Sequence, residues 1–501
     1  MAGRIVFTVV LAGYAFFAAG VVQAQGRGPA NWTTVGYDAQ RSFWIRTDPK
    51  ISTDSLRKPG FQFLWKVKLE GRLTPMIVLD PYTGYRGHKS LGYLGGSSDD
   101  IFGIDIDLGI VEWHDRLASG SKDSGTAVAC PGGLTSAPAR PASVAIQGLP
   151  ANRGGGARGG PARGSVGEPR QGAVNLQAAA PAAARGPAVP VALAVPVALA
   201  VPAVVRPNAV YAVAGDGMLR TMYVSNGADV EPPVRFLPPH ANAVGLIVVD
   251  NVAYAETIHG CGGVPDGVWA LDLNSKQVAN WSAAGTATQG ATRGAAGPAF
   301  GPDGTLYGTA GNTIAALEPK SLKLRNSFAG KEEFASSPVV FPFQDKILVA
   351  AGTREGSIYL LDGGTMNVVD KTQGGSVAKG DLSSWQDGSG TRWILAADSS
   401  SVSAWKVVDQ NGAAALRPGW AWTDVESPLT PIVVNGVMFA LSGRERPVLF
   451  AVDAATGEQL WNSGKAIPSP VHGGGLSAGG SQIYVETDDG NLYAFGFPME
   501  H

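Results

Sequence analysis

Along most of this chain apolar and polar residues alternate in short runs broken by Gly, Asp and Asn. That is the patterning of half-buried strands; a helix would repeat its apolar positions every three to four residues. The clearest unit is Leu449-Phe450-Ala451-Val452-Asp453-Ala454-Ala455-Thr456-Gly457-Glu458-Gln459-Leu460-Trp461. In it an alternating strand runs into Asp, a Thr-Gly turn reverses the chain, and a second strand ends on Trp. The same step leads from Asp105 to Trp113, and the copy from Asp272 to Trp281 is one residue longer. Weaker copies around Glu318, Asp362 and Val407 keep the first strand and lose the Trp. The markers Asp272, Glu318, Asp362, Val407 and Asp453 follow one another at 46, 44, 45 and 46 residues. Apolar hairpins precede them, with Asn435-Gly436 and Asp303-Gly304 at two of the tips.

A period in the forties with all-β patterning predicts four-stranded propeller blades. Inner strands starting near Thr74, Thr135, Gly245, Gly297, Ser337, Ser383, Thr430 and Gly474 make eight. The expected fold class is therefore an all-β, eight-bladed β-propeller of antiparallel blades, with seven blades the alternative. The last repeat stops at its third strand, whereas Phe63 to Leu69 reads as an outer strand without a blade. Pairing the two would close the ring and remove two free sheet edges.

Residues 1–24 read as a signal peptide: Arg4, an apolar stretch from Ile5 to Val22, and the small-residue exit at Ala24. Residues 25–501 are then the propeller, periplasmic or secreted, with no transmembrane segment after cleavage. Residues 148–205 interrupt blade two with Gly, Ala, Pro and Arg at a density that cannot supply a core, so a disordered insertion is expected there. A formal charge of −2 argues against nucleic acid, which requires a concentrated basic face.

The pattern Ala-x-Asp-x-x-x-Gly-x-x-x-Trp, best kept from Ala451 to Trp461, resembles the repeat of PQQ-dependent dehydrogenase-like β-propellers. The opening Asn31-Trp32-Thr33-Thr34-Val35-Gly36-Tyr37-Asp38-Ala39-Gln40-Arg41 is similar to the first motif of many such proteins. Asp105, Trp113, Asp272, Trp281, Asp453, Gly457 and Trp461 are thereby expected to be packing and turn residues. The resemblance implies either a quinoprotein oxidoreductase using PQQ and calcium on alcohols or sugars, or a non-catalytic binding or assembly platform. The dehydrogenases carry a quinone stacked on Trp, often under a disulfide of adjacent cysteines, with an acid-Asn-Asp calcium set. Here Cys130 and Cys261 are far apart and no such calcium set falls on matching motifs. The platform is the preferred reading. No cofactor is assigned, no metal site is expected, and the catalytic residues are unknown. Envelope proteins or a small molecule in the central funnel are the expected partners.

In a four-stranded meander the B–C loops and the D–A connections share one face. Cys130 and Cys261 fall on it in neighbouring blades, so a disulfide between them is expected, with two thiols as the alternative. Arg293, Asp381, Glu426, His259 and His472 fall on the same face and are the candidates for a polar pocket in the funnel. The competing reading for each is a solvated loop charge.

Overall fold

The computed structural model describes residues 31–84, 87–118, 130–146, 208–283, 294–373, 380–423, 425–442, 445–471 and 475–498. The signal segment 1–24 and the core of the interruption at 148–205 lie outside the described residues. Eight sheets account for the strands, each built around an antiparallel meander, with short parallel strands added at the edges of two of them. Blade one is Ile77–Gly84, Gly87–Gly95, Asp100–Asp105 and Ile110–Arg116. Blades three to seven occupy residues 242–282, 299–329, 339–371, 383–422 and 432–462. Blade eight joins Ser477–Gly479, Gln482–Glu486 and Asn491–Gly496 to an outer strand from the opposite end of the chain, Gln62–Lys68. The ring is thus an eight-bladed propeller closed by an N-terminal strand.

Blade two departs from the expected pattern. Its inner segment is reduced to a bridge between Ala139 and Tyr211 in place of a long strand from Thr135. The next residues, Pro141–Ala142, pair in parallel with Asn242–Val249 of blade three.

The repeat's conserved-looking letters have local physical causes. Asp105, Asp272 and Asp453 each turn one carboxylate oxygen onto the backbone N–H groups two and three residues on. Those donors would otherwise be orphaned in the C–D turn. Two residues further along, the backbone enters the left-handed region, at φ +69° for Gly109 and +79° for Gly457.

The turn glycine serves a second purpose, as the platform for a Trp of the preceding blade. Trp65 of blade eight donates its indole N–H to the Ile106 carbonyl at 3.1 Å and lies against Gly109. Trp113 does the same with Val224 and Gly227 of blade two, and Trp420 with Ala454 and Gly457 of blade seven. Blade six therefore has its docking Trp, which its sequence copy does not carry at the expected step. Trp461 has no glycine turn to meet and packs edge-on against Phe61, with ring centroids 4.9 Å apart. Trp281 is half-buried against the core between blades three and four.

These contacts make a graded prediction. Gly436→Ala meets only a left-handed backbone (φ +83°) with open space around it, and should cost roughly 1 kcal/mol. Gly457→Ala adds a methyl 2.9 Å from the Trp420 ring, and should cost about 2–4 kcal/mol with the overpacking included. Denaturant midpoints of the two variants test this. Equal losses would mean that the indole does not press on the turn.

Candidate functional site at the channel mouth

The centre of the ring is occupied by the chain itself. Residues 32–48 make one circuit of the axis and touch the blades in order. The carbonyls of Trp32 and Thr33 accept from Val78 of blade one and Arg140 of blade two. The Thr34 hydroxyl donates to the Leu246 carbonyl of blade three at 2.7 Å. The carbonyls of Ala39, Gln40, Ser42 and Phe43 then accept from Phe300, Val340, Ser384 and Val433 of blades four to seven. Asp48 closes the circuit by accepting from the Ser481 hydroxyl of blade eight at 2.9 Å. Inner strands leave unpaired N–H groups facing the axis, and this strap satisfies them.

The strap is pinned by two charged residues of its own motif. Asp38 accepts from the Ser42 backbone N–H and hydroxyl at 2.9 and 2.7 Å. Arg41 is fully buried and donates to the carbonyls of Pro298, Val35 and Gly245 and to the Thr34 hydroxyl. Burial lowers its pKa to about 10, opposed by the carboxylates of Glu256, Asp381 and Asp38. At neutral pH it remains a cation.

Above the strap, on the face of the B–C loops, the channel mouth is a cavity of about 260 Å³. Val35 of the strap is one of its walls, and Arg72, Thr74, Ser97, Thr135 and Ser136 supply its polar groups. Several of these are already engaged: the Ser97 hydroxyl accepts from the Arg72 N–H, and the Thr135 hydroxyl donates to the Ala243 carbonyl. A disulfide between Cys130 and Cys261, with Cα atoms 5.7 Å apart, ties the loop beside this mouth to blade three.

Of the five funnel candidates, the three among the described residues, Asp381, Glu426 and His259, are not on this lining. Arg293 and His472 lie outside the described residues. Glu426 is exposed, and His259 is half-buried near the disulfide, 3.4 Å from the Asn242 amide. Asp381 is buried, and its carboxylate accepts from the backbone N–H groups of Ala295, Ala296 and Ser337. Burial raises its pKa despite those bonds. Asp99, Asp100 and Asp266 of the B–C loops are likewise turned inward. Asp99 accepts from the Gly215 N–H and Asp266 from the Gly260 N–H, while Asp100 pairs with Arg116 and His114. Asp99 thus serves the neighbouring blade as an acceptor, whereas Asp100 and Asp266 are engaged within their own blades, and all three are buried.

The described lining of this mouth does not offer the groups that the cofactor pair implied by the repeat would use. A quinone with calcium needs carboxylate ligands and an aromatic plane, and the lining has hydroxyls, one guanidinium and small apolar residues. Among the described residues no three His, Cys, Asp or Glu side chains are grouped to hold a metal ion. A larger depression of about 980 Å³ lies on the opposite face between blades four and five. Its rim mixes Asp303, Asp345 and Asp362 with Arg325 and Lys346, so neither sign of charge prevails.

Fold and site together define an eight-bladed β-propeller with a strapped channel. Residues 268–496 match the family model described as outer membrane protein assembly factor BamB. No curated protein sequence matches the chain. Among solved structures, a europium-containing methanol dehydrogenase is similar with a TM-score of 0.58 at 11% identity, covering 94% of this chain and 99% of that one. The quinohemoprotein alcohol dehydrogenase of Comamonas testosteroni gives 0.55 at 12%, covering 94% and 81%. BamB from Moraxella catarrhalis gives 0.50 at 11%, covering 88% and 99%. Identities this low speak for the fold alone.

Proposed function

We propose that this chain is an exported, non-catalytic propeller that serves as a binding or assembly platform for envelope proteins. The observation that carries the reading is the strap. Residues 32–48 occupy the centre of the ring and are bonded to every blade. What remains above is a small mouth with no carboxylate among its described residues. Binding is then left to the outer surface. There, blades eight, one and two expose Phe63, Leu108, Ile110, Val111 and Tyr223, and exposed apolar groups of this kind favour protein contacts. Export rests on the signal-peptide pattern of residues 1–24. Among the described residues no helix is long and apolar enough to cross a membrane.

The competing oxidoreductase reading is tested directly. Titration of the purified protein with PQQ and Ca²⁺ is expected to leave tryptophan fluorescence unquenched and to give no dye-linked oxidation of alcohols or sugars. Saturable quenching accompanied by activity would overturn the platform reading. Cross-linking in the native envelope is expected to recover a stoichiometric protein partner.

A further inference from the structure

The lower end of the channel holds two arginines that the strap's bonding scheme leaves unused. Arg46 follows the short strand Trp44–Ile45, which lies parallel to Ile432–Val434 of blade seven. Arg392 opens the second strand of blade six, just past the turn at Asp387 to Thr391. Both guanidiniums face the Trp44 ring, with Cζ 4.3 Å from its centroid for Arg46 and 5.4 Å for Arg392. Arg392 also sits 5.6 Å from the Phe341 centroid.

The contrast with Arg41 is the argument. Arg41 is buried and spends its Nε, Nη1 and Nη2 groups on four acceptors. Arg392 is 94% buried by its 6% exposure, yet among the described residues its Nε meets no acceptor and its guanidinium makes no hydrogen bond. Arg46, half-exposed beside it, makes none either. The two cations repel, since Arg46 adds to burial in lowering the Arg392 pKa to about 10. Asp38 lies within electrostatic reach of both, and its oxygens are bonded to Ser42. A buried guanidinium without acceptors is costly, and a second cation alongside raises the cost.

Stacking uses the face of a guanidinium and leaves its in-plane N–H donors free. Two such forks at one indole supply what an oxyanion needs: charge, several donors and a partly dry wall. We propose that Arg46 and Arg392, walled by Trp44, form an oxyanion-binding site at the lower mouth of the channel. Its ligand is a phosphate or carboxylate group, admitted past half-exposed Arg46. The proposal is independent of the platform reading, because a site on the lower face can coexist with any use of the rest of the ring.

Thermal unfolding and ³¹P line broadening of the full-length mature protein test it, with inorganic phosphate or acetate balanced against chloride at constant ionic strength. Phosphate is expected to broaden and to raise the unfolding temperature beyond chloride, because a ligand bound only by the folded state stabilises it. Acetate distinguishes the sources: a comparable effect assigns the site to carboxylates as well, and none restricts it to phosphate. Arg46→Gln and Arg392→Gln should each weaken binding by roughly tenfold or more. If Arg392→Gln does not fold, Arg46→Gln decides, since its side chain is half-exposed. The proposal is overturned if phosphate and acetate act no differently from chloride, or if both variants bind as tightly as the parent.

Discussion

Arg41→Met is expected to cost about 3–5 kcal/mol, the range for breaking a buried charged network by removing one partner. The variant keeps the volume of the side chain and deletes every donor. Three carbonyls, those of Val35, Gly245 and Pro298, and the Thr34 hydroxyl then lose their partner where water is excluded. Glu256, Asp381 and Asp38 are the carboxylates whose charge favours the charged form of Arg41. Without it those carboxylates are less favourable in the charged form, so the loss should be larger at alkaline than at mildly acidic pH. Arg41→Lys should recover less than half, because one ammonium cannot replace a planar fork spread over blades three and four. Denaturant midpoints measure the loss, and hydrogen exchange localises it. The N–H groups of Phe300, Val340, Ser384 and Val433 should lose protection together as the strap loosens. A midpoint unchanged within error would show that the strap holds without its arginine.

Much of the ring was legible because its causes are local. An Asp that binds the N–H groups two and three residues on and a turn entering positive φ leave the same letters in several blades. Eight blades and the closing strand at 62–68 follow from counting such units. Trp420 escaped notice because blade six has unusually long outer strands, Val402–Gln410 and Ala413–Trp422, which move the indole off the expected step. The strap was visible as a motif and opaque in purpose. Its partners lie 204 to 260 residues away for Arg41, Thr34 and the Gln40–Phe300 bond, and no periodicity encodes such distances.

The candidate site was the least legible part, for a related reason. Whether a loop acid faces water or the backbone of an adjacent loop is decided by ring closure. Asp99, Asp266 and Asp381 look alike in sequence to any exposed turn residue, and all three are buried acceptors. Arg46 and Arg392 belong to no motif that sequence singles out. They share the Trp44 ring only because the strap passes from blade six to blade seven.

Glu486→Gln should remove a pH dependence that the parent shows between about pH 5 and 8. Glu486 ends the second strand of blade eight and accepts from the Met76 N–H of blade one at 3.1 Å. It is buried, and burial pushes its pKa up to about 8 against an ordinary 4.5, outweighing the accepted hydrogen bonds. The folded state thus holds a proton over a range where the unfolded chain has released it. The stability from this group is complete below pH 4.5 and is lost as pH rises through 8. Between those values the slope is about −1.4 kcal/mol per pH unit for one proton. Asp38 and Asp381, also raised by burial, act with the same sign, so the parent curve sums several groups. The difference between parent and variant isolates Glu486. Glutamine keeps an oxygen acceptor for the Met76 N–H and cannot ionise, so the variant should match the parent near pH 5 and exceed it at pH 8 and above. Superimposable curves across that range would mean that Glu486 is already ionised in the folded ring, with its charge met by solvent between blades eight and one.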